Sequence, residues 1–399
     1  MTKIPQQFSR SKSVITGKEN LVDVWELPKL PFTEFFGGYK SNFPTVNQYL
    51  LLCPETGVFQ LSNIVDSSFL YNSEDYNFRT LTTSKIKSEL KFFLSSTSLL
   101  RHLSRDIRIL EIGGNNTVMA EMLSGHYDKY AICDPILEES ANGHIEFWNG
   151  QIEDNIERVR DFQPRIIILR HVLEHLKYPV EVLRSIINAL GKNVVFFVEV
   201  PNFRLTQIRQ RLDAVFHQHV NYFDELSIEA LVGVLGGDIL SMESNLEGSN
   251  GGSLVFSFTN FKESRMMGSH IATGGNLRGA SSLNRFRTCL ELFHKQVELL
   301  KQSIDAWGGS VVGFGAGLML PTLNYHLGGA LENLLAIYDD DLLKKGSGYS
   351  NLSTRISHAS ELHDDIQNLI VITSMENQRK IRSRLEDFPK SSIIGFQIN

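Results

Sequence analysis

The segment around Glu111-Ile112-Gly113-Gly114-Asn115-Asn116 constrains the fold of this chain more than any other. An apolar strand over 107–112 runs into this Gly-Gly-Asn-Asn turn, and a helix starts near Val118. A second apolar strand, 130–133, ends in Asp134, 21 positions after Gly113. Strand, tight turn, helix and parallel strand make one βαβ unit, which needs a sheet with helices on its faces. Further apolar strands at 165–169 and 193–200, with a helix over 180–190 between them, continue the alternation. A helix over 83–103 precedes the series. A helix from Asp224 to Leu235 and strand candidates at 239–243 and 253–259 close it.

The rest of the chain divides around this unit. Over 1–83 strands and helices do not alternate. Pro31, Pro44 and Pro54 punctuate short runs carrying Phe32, Phe35, Phe36, Phe43 and Tyr49. This reads as a small irregular lobe that leans on its neighbour, because it is too short to bury a large core. Residues 268–282 are rich in Gly and Ser and read as loop or linker. A helix over 284–307 follows, then strands at 311–314, 334–338 and 369–373. The expected fold is α/β: a Rossmann-like domain over 84–259, between the lobe (1–83) and a second, smaller α/β domain (260–399).

Composition narrows the function. The 399 residues carry 39 basic and 45 acidic side chains, a net charge of −6. That argues against a broad nucleic-acid footprint. Cys53, Cys133 and Cys289 are scattered and odd in number, so neither a disulfide framework nor a Cys-x-x-Cys zinc pair is expected. No apolar run approaches a membrane span, and the N-terminus lacks the apolar core of a secretion signal. A soluble cytoplasmic protein is expected.

Glu111, Gly113 and Asn115 stand where open α/β sheets bind ligands, at the carboxyl end of the first strand. Asp134 ends the next strand, where a carboxylate can accept both hydroxyls of a ribose. A dinucleotide would need G-x-G-x-x-G to seat its pyrophosphate. Here Asn116 and Val118 follow Gly113 and Gly114, so that fingerprint fails. S-adenosylmethionine has no phosphate and tolerates a looser E-x-G-x-x-x-G, whose last position is Thr117. A bare strand–turn–helix junction is the third reading. The fourth strand leads into Arg170, His171 and His175, and the two histidines can share one helical face. Their order is H-V-L-E-H rather than H-E-x-x-H, and no metal is expected. In the C-terminal part, Gly313-Phe314-Gly315-Ala316-Gly317 is followed by Leu318, and Asp339 lies 24 residues beyond Gly315. An independent nicotinamide site stays open there.

Several segments, taken in order, resemble the sugar C-methyltransferases that alkylate nucleotide-linked keto-deoxysugars. LLLCPETGVFQLS resembles C-x-x-C-G-L-V-Q-L, FLYNSEDYNFRT resembles Y-x-Y-x-S, and EIGGNN resembles E-I-G-S-N-D-G. RHVLEH resembles R-N-V-L-A-H, AVFHQHVNYFD resembles Y-H-E-H-L-S-Y-F, and NGGSLVFSF resembles H-G-G-S-L-R-V. VVGFGAGLMLPTLNYHLG resembles G-Y-G-A-x-x-K-G-N-T-L-L-N. The resemblance covers about residues 45–350 and implies a class I (Rossmann-like) methyltransferase domain using S-adenosylmethionine. The implied cofactor contacts are Glu111, Gly113, Asn115, Asp134, Gln151 and Arg170. The implied partner is a small-molecule nucleotide sugar, with no nucleic acid and no membrane. The C-terminal domain would help hold the nucleotide, with Asn324, Tyr325 and Lys344 as candidates.

C-methylation beside a ketone needs a base near neutral pH, which suits histidine, and a partner for the enolate oxygen. The resemblance makes His219 the leading base and His217 its neighbour in the motif. His175 would steady the oxygen, Tyr71 would lie over cofactor and substrate, and Gln218 would hydrogen-bond the sugar. The departures are Thr56 for a zinc cysteine, Phe216 for Tyr, Gln218 for Glu, Thr117 for Gly, and Leu318 and Met319 near an absent Lys. They predict a lobe packed without zinc. They also keep two rivals open: O- or N-methyl transfer, and a relative that binds without catalysis.

Overall fold

A computed structural model describes residues 5–33, 35–36, 38–40, 43–71, 84–191, 194–260, 275–363, 368–386 and 390–396. The N-terminal strands are β1 (Gln7–Ser9), β2 (Val22–Pro31), β3 (Thr45–Leu52), β4 (Phe59–Leu61) and β5 (Asn63–Val65). The expectation of an irregular lobe is corrected here. β2 and β3 form a long antiparallel pair, with β4 beside β3. The alternation is hard to see in sequence because register shifts at Asp23/Trp25 and Leu27/Leu30 break it. A bulge moves later side chains to the other face, and Lys29 takes a left-handed φ of 53° beside the second shift.

The central strands are β6 (Arg108–Ile112), β7 (Lys129–Asp134), β8 (Ser140–Asn142), β9 (Ile145–Asn149), β10 (Ile166–Arg170) and β11 (Val195–Pro201). After them come β12 (Asn221–Tyr222), β13 (Asp238–Asn245) and β14 (Ser253–Thr259). Eight of these build one sheet in the order β13-β14-β11-β10-β6-β7-β9-β8. β11, β10, β6, β7 and β9 are parallel, and β14 runs against β11 and β13. From β6 the chain moves outward to β7 and β9, then returns to place β10 on the other side of β6. The topological switch therefore lies between β6 and β10, and a ligand crevice is expected beyond their carboxyl ends. β10 is buried along most of its length, as a strand covered on both faces must be.

β12 does not join this sheet. It pairs with β4 and completes the N-terminal sheet, β12-β4-β3-β2. The C-terminal strands β15 (Ser310–Phe314), β16 (Ile337–Asp339), β17 (Ile356–His358), β18 (Asn368–Ile372) and β19 (Ser392–Ile394) form an all-parallel sheet, β17-β16-β15-β18-β19. The α/β class with a Rossmann-like central domain is thus the fold observed.

The helix Gly275–Asp305 begins nine residues earlier than position 284, so the latter half of the expected Gly/Ser linker is helical. Gly279 has a packing reason to be there: a Cβ on it would stand 2.2 Å from the Pro54 carbonyl oxygen. The helix crosses the N-terminal lobe at that point. One apolar cluster joins Trp25, Leu50 and Phe59 of the lobe to Phe203 and Tyr222, to Phe286 and Phe293 of this helix, and to Leu320 and Ile337. Cys53 and Val58 pack instead with Leu110, Cys133 and Leu169 of the central core. No described helix is long and apolar enough to cross a membrane.

Candidate active site

The turn after β6 is tight. Gly113 has φ 71°, and a Cβ on it would lie 2.5 Å from Val172 Cγ2. Asn115 also takes the left-handed region, at φ 55°, which asparagine tolerates better than most residues. Its backbone N–H donates to Asp134 Oδ2 at 3.0 Å, and the Ile136 N–H donates to Oδ1 at 3.0 Å. Asp134 is thereby aimed at the turn, with a lone pair left on each oxygen. Glu111 is buried and accepts from the Tyr130 hydroxyl at 2.7 Å. Burial pushes its carboxyl up to about 7, against the pull of that hydrogen bond and of Arg170. Burial also raises Asp134.

The chemistry of this crevice fits S-adenosylmethionine. Two carboxylates flank the turn, and the Arg170 guanidinium is bound to Glu199 at 2.8 Å. The helix that follows, Val118–Met122, has one turn and a glutamate in it. An arrangement of that sign repels a pyrophosphate and suits a cationic sulfonium and ammonium. Gly113, Asn115, Asp134 and Glu111 come together at the switch point. Gln151 follows β9, two strands out from β6, and its carbonyl accepts from Asn155 Nδ2 at 2.9 Å. Arg170 also lies over the Phe93 ring, so its charge serves the sheet edge.

Beyond β10 the chain makes a second strained turn, with His171 at φ 55°. Its N–H donates to the Glu199 carbonyl, and its ring faces Glu174 and Glu199 at 3.3 and 3.9 Å. Burial opposes protonation of His171, but the hydrogen bond to Glu174 and the charge of Glu199 outweigh it and raise the pKa. Glu199 in turn accepts from Arg170 and from the Ser253 hydroxyl. This buried network fixes the geometry of the turn that carries His175.

His175 and His219 meet edge to face, with ring centroids 4.9 Å apart. His175 Nδ1–H donates to the Gln218 carbonyl at 2.9 Å. Its neutral ring therefore presents a bare Nε2, and it can steady an oxyanion only when protonated. His219 also packs on Phe216 at 4.3 Å, and burial holds it well below the ordinary histidine range. Gln218 is buried, and its Nε2 has no hydrogen-bond partner among the described residues.

His217 is not brought to this pair. Its Nε2–H donates to the Leu30 carbonyl at 3.0 Å, its Nδ1 accepts from Gln48 at 3.1 Å, and its ring packs on Phe32 at 4.4 Å. Burial pulls it down to about 4. It anchors the lobe and has no free nitrogen for chemistry. Tyr71 ends the helix Ser67–Tyr71, and its side chain lies outside the described residues.

The sequence reading missed Arg10. Buried in the lobe, it donates to the carbonyls of Leu61 and Val220 and to Asn221 Oδ1, and so holds the segment just after His219. In the C-terminal sheet the Gly315 turn is filled by its own chain. Asp339 accepts from the Ala316 N–H, Lys344 donates to the Ala316 carbonyl, and the Tyr349 hydroxyl donates to the Gly317 carbonyl. Asn324 caps Leu331 and reaches Glu332.

Residues 81–241 match a family model described as a methyltransferase domain. No curated protein matches the chain. Among solved structures it is similar to the N-methyltransferase NodS from Bradyrhizobium japonicum WM9, at 15% identity over 45% of this chain and 98% of that one, TM-score 0.32. It is also similar to an S-adenosylmethionine-dependent methyltransferase from Anabaena variabilis ATCC 29413, at 14% identity over 48% and 90%, TM-score 0.35. A third is the Burkholderia thailandensis 1,6-didemethyltoxoflavin-N1-methyltransferase, at 12% identity over 48% and 84%, TM-score 0.34. The central domain has a Rossmann-like fold, and its residues 81–241 are similar to a methyltransferase domain.

Proposed function

We propose that the chain methylates a nucleotide-linked keto-deoxysugar at the carbon beside its ketone. The observation that carries this reading is the His175–His219 pair, ring against ring, where His175 stands on the turn that bears Val172 and His219 comes from the segment after β11. S-adenosylmethionine supplies an electrophilic methyl group when bound. The chain's own task is to hold the acceptor in line and move its proton. His219 takes the proton from the acceptor carbon. His175, when protonated at Nε2, donates to the oxygen that gains charge, and the Gln218 amide hydrogen-bonds the sugar. Glu111, Gly113, Asn115, Asp134, Gln151 and Arg170 form or brace the cofactor side. The C-terminal domain holds the nucleotide.

One observation favours a second reading, transfer to oxygen or nitrogen. Phe216, which the resemblance aligns with a tyrosine, packs on His219 and cannot donate a hydrogen bond to an enolate. A heteroatom nucleophile needs no such donor. Incubation with methyl-labelled cofactor and nucleotide-linked keto-sugars, followed by product NMR, tests both. A methyl bonded to carbon supports the first reading, and one bonded to oxygen or nitrogen supports the second. Cofactor binding without transfer to any keto-sugar sinks the first.

A further inference from the structure

Among the described residues one group of three side chains can ligate a metal: Glu174, His175 and His219, with ligand atoms all within 4.8 Å of one another. Two features go beyond proximity. The His175 Nδ1–H is committed to the Gln218 carbonyl, which fixes the ring and leaves Nε2 with its lone pair. A ligating imidazole is oriented in just this manner, by a carbonyl or carboxylate on its other nitrogen. Glu174 is 1% exposed. Its Oε1 faces His171 at 3.3 Å, while its Oε2 is buried with no hydrogen-bond partner among the described residues. Buried carboxylate oxygens are normally satisfied, and a cation at Oε2 would satisfy the one that His171 leaves open.

We infer that Glu174, His175 and His219 hold a divalent transition-metal cation. Two imidazoles and one carboxylate are the donor set of open, catalytic sites for ions such as iron(II) or zinc. Ligands on one ion at about 2.0–2.2 Å stand about 3–4 Å apart, so binding draws the three slightly inward. Three protein ligands leave positions for oxygen atoms of an acceptor, whose carbonyl the ion would polarise. That would supply the electrophile that a His175 ring with a bare Nε2 cannot be. The histidines would then act as ligands, and a hydroxide held by the ion would take the acceptor's proton in place of His219, becoming water. This role rests on the acceptor reading above; the seat itself does not.

The test uses the full chain without a histidine tag, stripped of metal by a chelator and titrated with Co2+, whose visible absorption reports its coordination. One ion per chain is expected. Glu174→Gln and His219→Ala should each weaken binding at least tenfold while S-adenosylmethionine still binds. His175→Gln serves if either variant fails to fold. Absence of saturable binding of Co2+, Mn2+ and Zn2+ overturns the inference, as does binding that these substitutions leave unchanged. A chain that takes the ion but methylates no nucleotide-linked keto-sugar sinks the acceptor reading and leaves this one standing.

Discussion

Gly113→Ala separates two costs that the β6 turn combines. Gly113 sits at φ 71°, where an L-residue costs about 1–2 kcal/mol. Its new Cβ would also stand 2.5 Å from Val172 Cγ2, and overpacking of this kind costs about 1–3 kcal/mol. The sum is about 2–5 kcal/mol. Gly125 is the control: its φ is 81°, and a Cβ there meets nothing within 4 Å. Gly125→Ala should show the backbone cost alone. Urea denaturation of both variants measures the difference, expected at about 1–3 kcal/mol. The Val172 carbonyl accepts the His175 N–H. Gly113→Ala should therefore also lower turnover and weaken S-adenosylmethionine by calorimetry, while Gly125→Ala changes neither. Equal destabilisation by the two variants would refute the claim that this turn is pressed against Val172.

Other outcomes follow from the same site. The Glu111 pKa is raised to about 7 in the fold, from 4.5, so the folded state binds more protons than the unfolded state in that interval. Stability should then fall as pH rises from about 4.5 to 7, by up to about 3 kcal/mol. Glu111→Gln should flatten that stretch of a denaturation-against-pH profile, and an unchanged slope would assign it elsewhere. Asp134→Asn removes the charge of the candidate ribose acceptor and should weaken S-adenosylmethionine roughly 10- to 100-fold by calorimetry. Unaltered affinity would move the ribose away from Asp134. Arg10→Met removes the guanidinium hydrogen bonds to the Leu61 and Val220 carbonyls and to Asn221 Oδ1 and should lower stability by about 2 kcal/mol or more. It should also cut kcat while S-adenosylmethionine affinity holds, and an unchanged kcat would show that the His219 segment stands without it.

The central sheet was legible because its parallel strands, buried on both faces, read as continuous apolar runs. Gly113 and Asp134 followed from their places at strand ends. The N-terminal sheet was not legible, because two register shifts break its alternation. His217 and His219 stand two apart, which in an extended chain would put them on one face. A turn at 217–218 sends one into the lobe and the other to His175. Glu174 was written beside His175, but nothing local links it to a residue more than 40 positions on. The signal that was available is the i, i+3 spacing of His171 and Glu174, which the structure realises as a contact.

The pairing of β12 with β4 has a consequence for the order in which this protein can be made. Asn221 and Tyr222 lie two and three residues beyond His219, yet they supply the outer strand of the N-terminal sheet. During synthesis, β4 therefore waits with an open edge while some 160 residues of the next domain emerge, and exposed strand edges invite mispairing. The N-terminal segment cannot finish folding first. It is sealed only when the segment carrying His219 arrives, so completion of the lobe and positioning of that histidine are a single late event.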